Sequence, residues 1–482
     1  MSWDLSRWKP STTQSVLAGF LSVGFLLRLY AAHFPNLIHP DAIFQTLEPA
    51  HRLAYGYGVI TWEWREGIRN WVFPAFLAAI MKATAWLAPG SSGYLWGIRA
   101  VLSLLSLVTI WFGYAWAKRT SGIEAAIIAA GLCAIWYDLV IFAPSALTEV
   151  VSTHLLLPGL YFGIYGDRLP EHKRLFLAGL LCGLAVSLRL QLAPAVGFAL
   201  LYFCHPKWRQ RTLPLTAGVL LPVITFGIVD AFTWSYPFQS LLKNFWINAV
   251  QDQSAAYGTQ PWYWYLLVLA EQMFPLFALA LFGVRKSPLL GWIALIILVS
   301  HSVIGHKEVR FIYPVMPIVA TLAAIGFAEV IILLKGSLPS TPSARGTLIA
   351  SALAFFALLS YRLAPYFPYR RKDTLGIAAL NHLSRDHGAC GLALYRMSWY
   401  NTGGYTLLHK DIPILIISNK RVLRAQRRSY NFILAKQSGL HSLRGFKPTD
   451  CRNGLCLYRR RGNCSAPLPM YEINTVLRDT HQ

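Results

Sequence analysis

The chain is poor in charge. Of its 482 residues only 13% are Asp, Glu, Lys or Arg, and 21 are acidic. Ordinary soluble domains carry about 25% charged residues, so this sequence cannot cover a soluble surface of its size. Cysteine is scarce as well, at 7 residues. No two cysteines stand in CxxC spacing, which argues against a zinc ribbon. The sequence has no GxxxxGK[ST], no GxSxG and no HExxH. Nucleotide-driven pumping and serine or zinc hydrolysis therefore lack their motifs. There is no repeat of solenoid period and no low-complexity tract.

Apolar residues make up 55% of the chain. Apolar runs of about 20 residues, each able to cross a ~30 Å hydrocarbon core, recur from residue 12 to residue 364. They cover 12–33, 96–117, 122–141, 146–165, 175–188, 190–204, 212–231, 262–284, 288–304, 311–334 and 346–364. The runs are continuous, not alternating, which excludes a transmembrane β-barrel. The expected fold is a polytopic α-helical membrane protein of about 11 spanning helices. The first run follows Arg7 and Lys9. It is too long for a signal-peptide core and no good cleavage site follows, so it reads as a helix. The pair 175–188 and 190–204, parted by Arg189, reads as two tilted or mismatched helices or as one long broken one.

The stretch 71–89, with Pro74 and Lys82, is read as a juxtamembrane or re-entrant helix. The basic clusters Lys118-Arg119, Arg168 to Arg174, Lys207 to Arg211, Arg285-Lys286 and Lys335 to Arg345 then share the N-terminal side. The positive-inside rule makes that side cytoplasmic. The segments 34–70, 142–146, 232–261 and 304–310 fall on the opposite side. The net charge is +23, from 44 Lys and Arg. It reads as loop charge and attraction to anionic membrane lipid. The basic residues are spread over many loops, so nucleic acid is not an expected partner.

Residues 365–482 change character and are expected to form a small C-terminal α/β extramembrane domain beside the 1–364 membrane domain. Strand-length apolar runs occur at 391–395, 412–417, 430–434 and 455–458. An amphipathic helix is expected at 373–385 with Asp373 as its N-cap. This part holds 19 Lys and Arg against 6 Asp and Glu. The surplus reads as a solvated or lipid-facing surface, or as a cradle for an anionic lipid-linked substrate. Cys133, Cys182 and Cys204 fall in apolar runs and read as buried small hydrophobes. In an oxidising compartment Cys390, Cys451, Cys456 and Cys464 could form disulfides of undetermined pairing.

The richest tract follows the first apolar run, IHPDAIFQTLEPAHRLAYGYGVITWEWREGIRNWVFP at 38–74. Unpaired charges are costly in hydrocarbon, so this is a folded loop at the membrane face. Asp41 is placed to act as a general base, a role that needs it within about 3 Å of the proton it takes. Trp62 and Trp64 flank Glu63 and offer flat apolar faces suited to sugar rings; Trp71 suits the interfacial belt equally well. HKEVRF at 306–311 places His306, Lys307 and Arg310 where they could neutralise a departing phosphate. The loop at 244–265 is polar and aromatic and could bind an acceptor or cap the bundle. Ser145, Thr148 and Glu149 open a helix on the same side. A buried Arg189 would pair with an acidic group or a phosphate.

These tracts resemble glycosyltransferase family 22, the lipid-linked mannosyltransferases of the GT-C superfamily. HPDAIFQTLEPAHRLAYGYGVITWEWREGIRN is similar to the family's first-loop signature. HKEVRFIYPVMP (306–317) is similar to its HKEERFIYP, and YGTQPWYWY (257–265) to its Gly then Pro-Trp-His-Trp-Tyr pattern. TWEW with IRN is most similar to the branch that adds the third mannose of the glycosylphosphatidylinositol anchor, bacterial relatives included. The resemblance implies inverting transfer of a sugar, usually mannose, from a polyprenyl-phosphate donor to a glycan or glycolipid hydroxyl at the periplasmic or lumenal face. It implies Asp41 as catalytic base, with His306, Lys307 and Arg310 on the donor phosphate; Arg189, from its place between two apolar runs, is expected to join them. The substrate-binding positions expected around them are His39, Gln45, Glu48, Trp62, Glu63, Trp64, Arg69, Glu308, Tyr257 and Trp262.

The sequence departs from the family at Ala42, where the pattern has an acid, at Val309, where it has a charge, and at Tyr263, where it has His. The first departure speaks against a two-carboxylate or metal site, and neither metal nor cofactor is expected. A bacterial inner membrane is the preferred location, with the endoplasmic reticulum as the alternative. Two rival functions are a lipid-linked-sugar flippase or transporter and a non-catalytic glycan-binding scaffold. The charges lie mainly in loops and the chain shows no two halves, which tells against the transporter.

Overall fold

The computed structural model describes residues 12–33, 39–333, 342–364, 374–436, 445–452 and 454–479. Arg7, Lys9, Ile38, Asp373 and the basic stretch before Arg345 up to 341 lie outside the described residues. The apolar runs fold as helices. Thr12–His33 is followed by Ser92–Ser106, Val108–Ile135, Thr148–Ile164, Glu171–Leu188, Ala193–Cys204 and Trp208–Thr233. Further along come Trp264–Met273, Leu276–Gly283, Pro288–Val303, Val315–Leu333 and Pro342–Leu363. Four helical stretches among the described residues are long and apolar enough to cross a membrane unaided. A fifth arises if Trp264–Met273 and Leu276–Gly283, bent by 105°, count as one. The expected count of about 11 also included shorter helices, below the ~20 residues a straight span needs.

Side-chain contacts sort the loops into two ends. At one end Trp116 Nε1 donates to Ser287 Oγ at 2.7 Å, and Arg119 pairs with Asp167. Arg211 Nη2 pairs with Glu171 at 2.7 Å, Lys286 with Glu329 at 3.5 Å and Arg345 with Glu124 at 3.4 Å. The basic clusters therefore share one end. Within Val108–Ile135 the chain reverses at Gly122, whose φ of 88° suits glycine. Arg211 Nη1 also donates to the His205 carbonyl at 3.2 Å. Glu171 and His205 thus both lie at the basic end while Arg189 lies at the other. The pair around Arg189 is a helical hairpin. Glu171–Leu188 packs closely on Trp208–Thr233 because small residues meet there: a β-carbon on Gly179 would fall 2.2 Å from the Leu215 carbonyl oxygen.

The stretch 71–89 is the helix Val72–Thr84 and a short 3₁₀ turn, Ala85–Leu87. Its start adjoins Asn70, which binds Asp230 at 2.7 Å. Past its end, a β-carbon on Gly90 would sit 2.5 Å from Ser384 Oγ of the C-terminal region. Trp86 and Phe76 are exposed on its outer face.

The C-terminal region forms one five-stranded sheet of order β2-β1-β3-β5-β4. The strands are β1 (Leu392–Tyr395), β2 (Ile414–Ile417), β3 (Phe432–Lys436), β4 (Lys447–Arg452) and β5 (Leu455–Arg459). β1 pairs in parallel with β2 and β3, while β5 is antiparallel to β3 and β4. Disulfides join Cys390 to Cys464 and Cys451 to Cys456. Cys133, Cys182 and Cys204 are buried and free.

The bundle has its own core, around Ile110, Phe112, Trp116, Leu132 and Ile318. A second core is shared. Phe44 and Leu47 of the first loop, Leu77 and Ile98 of the following helices, and Leu380 and Leu408 of the C-terminal region pack together. Each such side chain contributes about 1.5–3 kcal/mol when buried. This common core seats the sheet against the first loop.

Candidate active site

In the first loop Asp41 precedes a π-helical turn, Ala42–Leu47. Such turns are rare and concentrate at functional sites. The turn runs into the helix Glu48–Tyr55. Arg310 lies in the 3₁₀ turn Val309–Ile312. Glu149 stands in the first turn of Thr148–Ile164, where the helix dipole favours an acid. These three segments, far apart in sequence, converge on one guanidinium. Arg310 Nη2 donates to Asp41 Oδ2 at 2.5 Å, Nη1 to Glu149 Oε1 at 2.6 Å and Nε to Glu308 Oε2 at 2.7 Å. Two histidines complete the ring: His39 Nε2 lies 2.9 Å and His306 Nε2 3.0 Å from Glu308. The Asp41 backbone N–H donates to His39 Nδ1 at 3.2 Å.

Burial opposes charge on Asp41, but Arg310 and His39 outweigh it and hold its carboxyl well below the usual range. Glu308 is likewise held low against burial by Arg310, His306 and His39. Burial and Arg310 disfavour the His39 cation, yet Asp41 and Glu308 raise its proton affinity above the ordinary value. His306 is raised chiefly by its bond to Glu308. Asp41 is thus an ionised acceptor with fixed direction. The Arg310 nitrogens Nε, Nη1 and Nη2 all point at carboxylates.

Beside this cluster opens a cleft of about 820 Å³, lined by Gln45, Arg69, Asn70, Thr148, Arg189 and Gln191 on its polar side. Val186, Val223, Phe226 and Phe238 form its apolar wall. Arg69 Nη2 binds Glu63 Oε1 at 2.6 Å, and Gln45 donates to the same oxygen at 3.3 Å. Arg189 Nη1 reaches Glu149 Oε1 at 3.3 Å. Arg189 and Arg310 both lie over the Phe311 ring, at 4.9 and 4.7 Å. The Nε atoms of Arg69 and Arg189 are buried and have no hydrogen-bond partner. Buried donors are seldom left unpaired without a reason.

Asp41, His39, Glu308, Arg310 and His306 therefore meet in one cluster, and Gln45, Glu63, Arg69 and Arg189 in the adjoining cleft. Lys307 does not face either: its ammonium donates to the carbonyls of Ile304 at 2.5 Å and Gln260 at 3.0 Å. It ties 304–307 to the 258–260 loop. Trp64 is buried against Trp71, with ring centroids 4.4 Å apart, and close to Trp234. Trp62 Nε1 donates to the Tyr257 hydroxyl at 3.0 Å and links two loops above the cleft. Trp262 is 70% exposed. Glu48 lies elsewhere. Its carboxylate accepts from the N–H groups of Val59, Tyr405 and Thr406, each at 2.8 Å, and from Thr406 Oγ1 at 2.5 Å. It is the joint between the first loop and the C-terminal region. Asp230 and Ser240, which also line the cleft, carry no sequence motif that marks them, whereas Asn70 beside them closes the IRN of the first-loop tract.

A helical membrane bundle with a polar site at one rim and a small sheet seated on it has the GT-C architecture. It superposes on ArnT from Cupriavidus metallidurans bound to undecaprenyl phosphate with a TM-score of 0.64 at 12% identity, covering 95% of this chain and 100% of that one. It also superposes on the mycobacterial arabinofuranosyltransferase AftD, with a TM-score of 0.51 over 93% of this chain and 40% of that one. The chain belongs to the Alg9-like mannosyltransferase family, which matches residues 20–409. It is 33% identical to mouse GPI alpha-1,2-mannosyltransferase 3 over 299 residues, 58% of this chain and 53% of the relative. It is 30% identical to GPI mannosyltransferase 3 of Yarrowia lipolytica over 402 residues, 80% and 73% of the two. The chain thus spans about half the length of the mouse relative. These relatives are eukaryotic and give the bacterial inner membrane no support. Nothing in the relatives or the fold supports a flippase.

Proposed function

We propose that the chain is an inverting mannosyltransferase that uses a polyprenyl-phosphate-linked donor and a glycan or glycolipid hydroxyl as acceptor. The observation that carries this reading is the two-sided cleft beside Asp41. One wall is apolar and belongs to membrane-facing helices; the other offers two arginines, Arg69 and Arg189, whose Nε donors are buried and unpaired. A lipid phosphate has the same division, a chain for the apolar wall and a head for the guanidinium groups. Mouse GPI alpha-1,2-mannosyltransferase 3 and the undecaprenyl-phosphate-bound ArnT support the sugar and the donor class respectively.

In this scheme Arg69 and Arg189 hold the phosphate and stabilise it as the glycosidic bond breaks. Arg310 orients Asp41, His39 and Glu308. Glycosyl transfer passes through an oxocarbenium-like state. A carboxylate of low proton affinity suits it. Asp41 accepts a hydrogen bond from the acceptor hydroxyl, aligns it behind the anomeric carbon, and takes its proton late, when bonding to that carbon has made the hydroxyl acidic. Attack from the face opposite the phosphate inverts the centre. Asp41, Glu149, Arg189 and Arg310 lie at the end opposite the basic clusters, which supports a site on the periplasmic or lumenal face.

The test is transfer by purified protein from polyprenyl-phosphate mannose to a panel of glycolipid acceptors, read by mass spectrometry. A mannosylated product supports the reading. Donor binding without any product would leave a scaffold, and movement of intact donor across vesicles would leave a transporter.

A further inference from the structure

A second cavity opens away from the cleft. It is lined by Trp136, Tyr137, Asp138, Glu271, Gln272, Ser360 and Leu363. It lies at the same end of the bundle as the candidate active site. Phe142, four residues beyond Asp138, packs edge-on against Tyr313 at 5.4 Å, three residues beyond Arg310. Ser360 is near the end of Pro342–Leu363 remote from Arg345, which pairs with Glu124 at the basic end.

The charged groups of the lining, Asp138 and Glu271, are both acidic. Asp138 is only 2% exposed. One of its oxygens accepts from Trp136 Nε1 at 3.2 Å; the other, Oδ1, is buried without a partner, as is Gln272 Oε1. Glu271 stands exposed at the rim and forms no ion pair with any described Lys, Arg or His. Ser360 Oγ is already engaged, accepting from the Tyr137 N–H at 2.8 Å and donating to the Ile135 carbonyl at 3.2 Å. The buried unpaired oxygens of Asp138 and Gln272 are acceptors, and the Tyr137 hydroxyl beside them can accept as well as donate. The chain has 44 Lys and Arg against 21 Asp and Glu, yet no basic side chain lines this cavity. Carboxylates at membrane helices normally pair with a cation or serve a ligand. The indole of Trp136 and the phenol ring of Tyr137 add faces that attract cations.

We propose that this cavity binds the ammonium group of a membrane amphiphile, with Asp138 as the buried counter-ion, Glu271 as the outer one and the two aromatic rings as walls. Two sources share that chemistry: the headgroup of an ethanolamine lipid and the amine of an amino-sugar glycolipid. The site stands independently of the transferase reading, since its residues take no part in the Asp41 cluster.

The experiment uses the full-length protein in lipid nanodiscs and native mass spectrometry. The probes are phosphatidylethanolamine, an amino-sugar glycolipid, and the N-acetylated form of each, which keeps the chains and removes the charge. The expected result is at least tenfold tighter binding of one amine probe than of its acetylated form, with the tighter amine naming the source. Asp138→Asn, nearly isosteric, should abolish that preference, and the rim variant Glu271→Gln should reduce it about threefold. Equal binding of amine and acetylated forms, or no binding of either amine, would overturn the proposal. Should Asp138→Asn not fold, an unchanged preference in Glu271→Gln would count against it in the same way.

Discussion

Removing the Glu48 carboxylate should separate the sheet from the first loop. Four donors converge on it, three of them backbone N–H groups from Val59, Tyr405 and Thr406. In Glu48→Ala those three N–H groups stay near the interface without their acceptor. An unmade buried hydrogen bond costs about 1–3 kcal/mol. Water entering the vacated space offsets part, so we expect a net loss of about 4 kcal/mol, a large share of a stability of about 5–15 kcal/mol. Glu48→Gln keeps one acceptor oxygen and should lose about half as much.

Gly404 supplies an internal control for the Glu48 joint. Its φ is +56°, and a β-carbon there would sit 2.7 Å from Glu48 Oε1. Gly404→Ala should cost about 1–2 kcal/mol from backbone handedness alone, plus the collision with the carboxylate. In the Glu48→Ala background the collision vanishes, so the second substitution should cost less. The assay is thermal unfolding in detergent. A loss below about 1 kcal/mol for Glu48→Ala, or an equal cost of Gly404→Ala in both backgrounds, would refute the assigned joint.

Asp41→Asn should lower turnover about 10²–10⁴-fold; wild-type turnover would remove Asp41 from the chemistry. Arg69→Ala and Arg189→Ala should each raise the donor KM more than tenfold, and a donor titration that leaves KM unchanged would take the phosphate off these arginines. His51 is buried among Tyr55, Tyr57 and His409. Burial, with His409 and Lys82 nearby, lowers its pKa from 6.5 to about 4 despite the Tyr57 carbonyl. The unfolded chain therefore binds this proton first, and stability is full above about pH 6.5 and is lost as pH falls toward 4. Unfolding temperature measured across that window should depend less on pH in His51→Gln; identical slopes would rule out His51 as the titrating group.

Much of the helical fold is legible in the sequence because long apolar runs leave the chain few alternatives in lipid. The sidedness of the basic clusters is legible too, since charge marks loop ends. The sheet is only partly so. β4, KPTDCR, is polar and contains a proline; it is held by pairing to β5, which no local pattern announces. The helix Gly404–Leu408 is five residues long, and the N–H groups of Tyr405 and Thr406 in it donate to Glu48, 357 and 358 positions earlier. The first loop and HKEVRF reveal which residues could do chemistry, but not which oxygen faces which nitrogen. Glu48 and Asp41 look alike in one polar tract, yet one fastens a domain and the other meets Arg310. Lys307 and Arg310 look alike in one basic tract, yet Lys307 is bound by carbonyls. The unpaired Nε atoms of Arg69 and Arg189 exist only once the bundle has closed.

The bond between Asp41 and Arg310 joins positions 269 residues apart, with most of the membrane crossings between them. A nascent chain threaded with one crossing too many or too few would strand these opposite charges in different compartments. Correct insertion and assembly of the Asp41–Arg310 cluster are thus a single event, and a copy that fails at the first carries a visible fault, an Arg310 parted from its Asp41 carboxylate, for the cell to find.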